Sequence, residues 1–144
     1  MIQPHELVYG AIFEYNLGDK DFPEWELRTL NLDNIRECIE CNDFHSYRAI
    51  PLTEKILVEW CGFESMNDSM GFRLQLDKEI AFRVYLANDN DGNEVWSHNN
   101  CDIFQRDSGD DFHQVCLNII PLYLHQLQML IQSLTNQPLK ITLK

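Results

Sequence analysis

An α+β fold, an antiparallel sheet covered by two or three short helices, is what this 144-residue sequence predicts. Three observations carry that expectation. "GFRLQL" and "EIAFRVYL", in the middle of the chain, alternate apolar and polar residues with the period of a half-buried strand. "TEKILVEWC" (Thr53–Cys61) and "PLYLHQLQMLIQSLT" (Pro121–Thr135) repeat their apolar residues at helical spacing and carry start and stop residues. Turn-forming clusters separate these segments. The length suits a single domain, 1–144, within which residues 1–46 could form an N-terminal subdomain. A chain of this size buries roughly 68–70% of its unfolded surface, so stability requires neither metal nor disulfide.

The elements follow in chain order. "ELVYGAIFEY" (Glu6–Tyr15) is rich in β-branched and aromatic residues and runs into the turn-forming "NLGDKDFPEWE". "EWELRTL" then alternates, with Trp25, Leu27 and Thr29 on one side, and the pair predicts an N-terminal hairpin or small barrel-like element. Leu32, Ile35 and Ile39 recur at helical spacing behind Asn31, a good N-cap, which predicts a short helix. Pro51 drives Ile50 to an extended conformation, Thr53 can cap the next helix, and Leu52 can staple against Leu57. Ile56, Leu57 and Trp60 form its apolar stripe, and Gly62 supplies the left-handed residue that stops it. "DKE" is a tight connection between the two central strands, and "ANDNDGN" (Ala87–Asn93) a second turn with positive φ at Asp91-Gly92. "EVWSHNNCDIFQ" resumes a strand and "RDSGDD" is an exposed acidic loop. In the last helix Leu124, Leu127, Ile131 and Leu134 face the core, with Asn136 and Pro138 ending it. "LKITLK" alternates Leu139, Ile141 and Leu143 as a final edge strand guarded by Lys140 and Lys144. Pairing of that edge across a two-fold would give a homodimer.

Two phrases carry a resemblance. "YRAIPLTEKILVEWCGF" resembles the Y-x-P-I-P-L-T-E-E-x-L…G-F signature of small uncharacterised proteins of Bacteroidetes and their phages. "LYLHQLQMLIQSLTNQPLKI" is similar to the Y-V-H-Q-L-Q-N-L-Y…L-T-G phrase near the end of the same proteins. Ala49 stands where that pattern has Pro, and Asn136 and Gln137 stand where it has Gly-Glu. The resemblance implies a bacterial or phage setting and supplies no mechanism.

Acidic residues outnumber Lys and Arg by 23 to 11, a formal charge of −12. A field of that sign repels phosphate backbones, so direct nucleic-acid binding is not expected, whereas a host protein with a basic surface would be attracted. "MIQPHELVYG" has no signal-peptide core, no apolar run approaches the roughly 20 residues of a membrane helix, and five cysteines suit reduced thiols. The expected location is therefore the bacterial host cytoplasm, away from any membrane.

Three x₂-spaced pairs suit a zinc ion, since that spacing lets two soft ligands converge: Cys38 with Cys41, His98 with Cys101, and His113 with Cys116. Against them, Cys38 falls beside a helical stripe, and x₂ spacing on a strand turns side chains to opposite faces. No other cofactor is expected. "NDNDGN" fails as an EF-hand, because taking Gly92 as position six puts Ala87 first and His98 twelfth. Trp25, Tyr47, Trp96 and Phe104 could stack a base while Arg73 and Arg83 hold phosphate, the pattern of a small-molecule or nucleotide sponge. His125, alone beside a buried stripe, is a packing residue on this reckoning. No phosphate cradle, nucleophile elbow or H-E-x-x-H helix occurs, which leans away from an enzyme and assigns no catalytic residue. The expected function is a non-enzymatic phage or mobile-element protein that occupies a host protein. Ligand sponge, zinc module or hydrolase, and virion component are the alternatives.

Overall fold

The structure is a computed structural model that describes residues 2–66, 71–88, 92–94, 99–106, 112–116 and 120–143, with backbone alone at 105–106 and 112–116. It is an α+β chain in which the described residues form two antiparallel sheets, of three and five strands. The residues divide into two compact units: Met1–Pro51 with Tyr123–Leu130, and Leu52–Leu122 with Ile131–Lys144.

In the first unit β1 (Ile12–Asn16) lies between β2 (Trp25–Thr29) and β3 (Tyr47–Arg48), the order being β2-β1-β3. The hairpin turn is built by side chains. Asn16 Oδ1 accepts from the amides of Gly18 and Glu24, each at 2.9 Å, and Asp19 Oδ1 accepts from Asp21 and Phe22 at 3.0 and 2.7 Å. Such local bonds are the reason Asn and Asp favour turns. The strand is shorter than "ELVYGAIFEY" suggests: Pro4–Glu6 is a 3₁₀ turn, and Gly10 takes φ +83° before β1 begins. On β2 the expected apolar side is half-buried only at Trp25. Leu27 is exposed, and the half-buried Arg28 instead lays its guanidinium over Tyr15, 3.5 Å from the ring centroid.

Helix α1 (Leu32–Cys41) starts as its sequence predicts. Asn31 Oδ1 accepts from Asn34 N at 2.8 Å, and Asn34 Oδ1 reciprocates with Asn31 N at 3.2 Å. Its buried face is not the Leu32/Ile35/Ile39 stripe, because Leu32 and Ile39 are exposed. Cys38 takes their place in the core with Phe13, Leu30 and Tyr47, and Ile35 packs beside them.

In the second unit β4 (Glu64–Met66), β5 (Gly71–Gln75), β6 (Ile80–Tyr85), β7 (Asn100–Arg106) and β8 (Phe112–Cys116) pair in sequence order. On one face the period-two alternation holds, with Phe72, Phe82, Val84 and Cys101 buried; on the other Arg73 and Gln75 are exposed, but Ala81 and Asp102 are buried as well. Asp77 makes the tight β5–β6 connection, accepting from Glu79 N and Ile80 N at 2.7 and 2.8 Å. The second turn shows an Asn88–Glu94 bridge and Gly92 at φ +80°; Asp91 and the loop at 107–111, including Asp110 and Asp111, lie outside the described residues.

The helix expected over Thr53–Cys61 is π-helical across Ile56–Trp60. Thr53 Oγ1 accepts from Ile56 N at 3.3 Å, and Leu52 and Leu57 are buried as a staple requires. Cys61 N then reaches back five residues to Ile56 O, 3.0 Å away. Gly62 at φ +73° turns the chain so that Phe63 N bonds Leu57 O at 2.9 Å. A Cβ on Gly62 would meet nothing within 4 Å, so Gly62→Ala costs backbone strain alone. The expected loss is about 1–2 kcal/mol in urea unfolding.

Helix α2 (Leu124–Thr135) begins later than its sequence suggests, because Tyr123 pairs in an extended bridge with Pro51 and Leu124 N donates to Ile50 O. Leu124, Leu127 and Ile131 are buried as expected, but Leu134 is exposed and Leu130 is buried in its stead. Asn136 at φ +55° ends the helix. The predicted final strand is absent among the described residues. Residues 138–143 are irregular, with Thr142 N bonded to Trp60 O. Pro138, Leu139 and Lys140 line a cleft.

Candidate functional site

Across the five-stranded sheet runs one row of charges. Glu64 of β4, Arg73 of β5, Arg83 of β6 and Asp102 of β7 are successive register partners, so all four share a face. Arg73 Nη2 donates to Glu64 Oε2 at 2.9 Å, an exposed pair. Arg83 grips Asp102 in two bonds, Nε to Oδ1 at 2.6 Å and Nη2 to Oδ2 at 2.9 Å, with Asp102 only 3% exposed. The planar fork matches a carboxylate, which is why this pair tolerates burial. The Arg83 guanidinium also lies 4.8 Å from the Phe104 ring centre. Three residues expected to hold a ligand, Arg73, Arg83 and Phe104, thus come together. The two guanidinium groups occupy the middle of the row, flanked by their own carboxylates.

Trp25 and Tyr47, the other described members of that set, belong to the first unit and sit on opposite faces of its sheet. Trp25 opposes Asn16 and Tyr47 opposes Tyr15, neighbours on β1. Trp25 carries the Arg48 guanidinium 4.0 Å from its ring centre, and Arg48 is paired with Glu14. Tyr47 is buried, its ring 4.8 Å from that of Tyr15. Burial pushes its hydroxyl pKa up, against the opposing pull of its hydrogen bond with Arg28. Trp96 lies outside the described residues.

The metal-like pairs are not gathered among the described residues, where no group of three or more His, Cys, Asp or Glu could hold an ion. Cys38 is buried with Sγ bonded to Asp43 O at 3.3 Å, while Cys41 is exposed. Burial, with Asp43 nearby, raises the Cys38 thiol pKa. Cys101 is buried on β7. His98, and the side chains of His113 and Cys116, lie outside the described residues.

His125 is the titratable group most deeply placed in the first unit. It is fully buried and stacked on Phe13 at 4.6 Å, with Tyr123 5.9 Å away on near-parallel planes. Its Nε2 meets Glu6 Oε1 at 2.8 Å, and a carboxylate only accepts, so Nε2 carries the proton. Among the described residues Nδ1 has no hydrogen-bond partner. Desolvation pushes the imidazole below its ordinary value, outweighing the Glu6 carboxylate. Although burial works the other way, Glu6 is held low by the Gln3 amide and by His125. The folded state therefore binds fewer protons than the unfolded one, and the stability contributed by His125 is lost as pH falls below 6.5. His125→Phe keeps the stack and removes the titration. The expected result is a shallower fall of unfolding free energy just below pH 6.5, read by urea titrations at several pH values.

Sequence periodicity also missed Gln128. Its Oε1 accepts from Ile12 N and its Nε2 donates to Gly10 O, both at 3.0 Å, so an amide side chain serves as a strand partner for the start of β1. The helical periodicity places Gln128 mostly off the stripe of Leu124, Leu127, Ile131 and Leu134.

In the second unit a cleft of about 680 Å³ opens between the β5–β6 hairpin, the last turn of α2 and residues 137–140. Leu74, Ile80, Ile103, Ile131 and Leu139 supply apolar walls, and Lys140 lines it as well. Cys61 also faces the cleft, its thiol pKa pushed up to about 12 by burial. None of Trp25, Tyr47, Arg73, Arg83 and Phe104, the described residues of the expected ligand set, lines this cleft. No helix among the described residues is long and apolar enough to cross a membrane. No family model, curated protein or solved structure matches the chain.

Proposed function

We propose that the chain is a non-enzymatic binding protein of phage or mobile-element origin, acting in the cytoplasm of a bacterial host by occupying a basic surface on a host protein, a means of counter-defence. One observation carries this. Against an acid surplus of 23 to 11, Arg28, Arg48, Arg73 and Arg83 each spend their guanidinium on a carboxylate of the chain itself. What a partner meets is therefore the remaining carboxylate, including Glu37 and Glu40 exposed along α1, beside Asp33, which lies 3.9 Å from Arg36 in an exposed pair. Complementary charge of that kind steers association and suppresses wrong partners. Affinity capture from a Bacteroidetes lysate tests it. A specific protein should be retained at low ionic strength, released near about 1 M salt where screening is short-ranged, and lost with D33N/E37Q/E40Q. Recovery of no macromolecule by the unmodified chain would end the proposal.

The nucleotide sponge is favoured by a separate observation, the adjacency of Arg73 and Arg83 beside Phe104. A thermal-shift panel of nucleotides should then show one that stabilises the chain and loses its effect with Arg73→Gln. Metal analysis of the purified chain and the protein content of purified particles decide the zinc and virion alternatives.

A further inference from the structure

We propose that the cleft in the second unit is a binding site for a small carboxylate amphiphile, its apolar body against Leu74, Ile80, Ile103 and Ile131 and its carboxylate at Lys140. This goes beyond the docking of a macromolecule and does not depend on it. The volume, about 680 Å³, lies within the range of clefts that take small organic ligands.

The chemistry of the occupant follows from which polar groups are already spent. Gln75 Nε2 donates to Asp77 O and Ile80 O, at 2.6 and 3.2 Å. Asp77 Oδ1 is taken by two turn amides. Thr135 Oγ1 donates to Ile131 O at 2.8 Å and accepts from Gln137 N at 3.1 Å. Gln75 Nε2, Asp77 Oδ1 and Thr135 Oγ1 are thus each engaged in closing their own turns. Cys61, protonated and buried, behaves as one more apolar wall. Lys140 differs: among the described residues it has no ion-pair partner, and its side chain is exposed at the lining. Its segment is fixed where Thr142 N bonds Trp60 O at 2.9 Å. An ammonium beside an apolar recess selects a ligand with one anionic end and a hydrocarbon body.

Calorimetry and thermal shift with decanoate, decanol and decylamine, below their micellar concentrations, test this on the full chain. Decanoate should bind best and decylamine worst. Lys140→Met should weaken decanoate by roughly threefold to fivefold, the size of an exposed ion pair, and leave decanol unchanged. Leu134→Trp, at an exposed lining position, should block all three while circular dichroism stays native. Amide shifts on decanoate addition should centre on Leu74, Ile103 and Leu139. Equal binding of the three probes, no binding of decanoate, or an unaltered decanoate affinity in Lys140→Met would overturn the assignment.

Discussion

Phe82→Ala is expected to lower the unfolding free energy of the chain by about 3–5 kcal/mol, the range for deleting a buried aromatic ring. Phe82 has no exposed surface, lies on the central strand β6 with Leu74 and Ile103 as register partners, and meets Phe63 edge-on at 6.3 Å. A strand paired on both sides cannot collapse into the space left behind, so the cavity term adds to the lost transfer energy. Urea unfolding followed by tryptophan fluorescence measures the effect. Phe82→Leu should cost markedly less, since most of the volume is kept. A loss below about 1 kcal/mol in Phe82→Ala would mean that this sheet face is not packed as described.

Arg83→Met should be nearly as damaging, about 3–5 kcal/mol, because it strands a buried carboxylate. Asp102 is only 3% exposed and is held at both oxygens by the guanidinium. The methionine retains much of the hydrocarbon stem, so the loss reports charge and not packing. The double variant R83M/D102L removes the stranded charge and should recover most of the stability. If the double variant is as unstable as the single one, the cost lies in the contacts with Phe104 and Tyr85.

The contrast between these residues shows what the sequence could reveal. Strand alternation around Phe82 and Arg83 was legible because a half-buried strand has one period and few ways to satisfy it. Caps were legible too. Asn31, Thr53 and Gly62 each act within a few residues, so local chemistry alone decides them. The failures come where distant chain intervenes. Leu32 and Ile39 have helical spacing, yet Cys38 is the residue the core admits, and that depends on what packs against α1. Residues 139–143 alternate like a strand but find no neighbouring strand to pair with among the described residues.

The candidate site divides in the same way. Arg73, Arg83 and Phe104 share a face because cross-strand register turns separate residues into neighbours, which alternation hinted at. Trp25 and Tyr47 have the right chemistry but fall on opposite faces, a consequence of one residue of register. The Glu6–His125 bond joins positions 119 apart, and no local pattern encodes such a separation. The cleft is lined by Cys61, by pieces of β5, β6, β7 and α2, and by residues 137–140, and had no signature at all.

Neither compact unit is a continuous stretch of the chain: the first needs Tyr123–Leu130 and the second is interrupted by those same residues. A gene fragment stopping at Pro51 would omit His125 and Gln128, the partners of Glu6 and of the entry to β1. The halves cannot be inherited, swapped or expressed as separate cassettes by a single cut, and any recombination that preserves one must carry the helix that both draw upon.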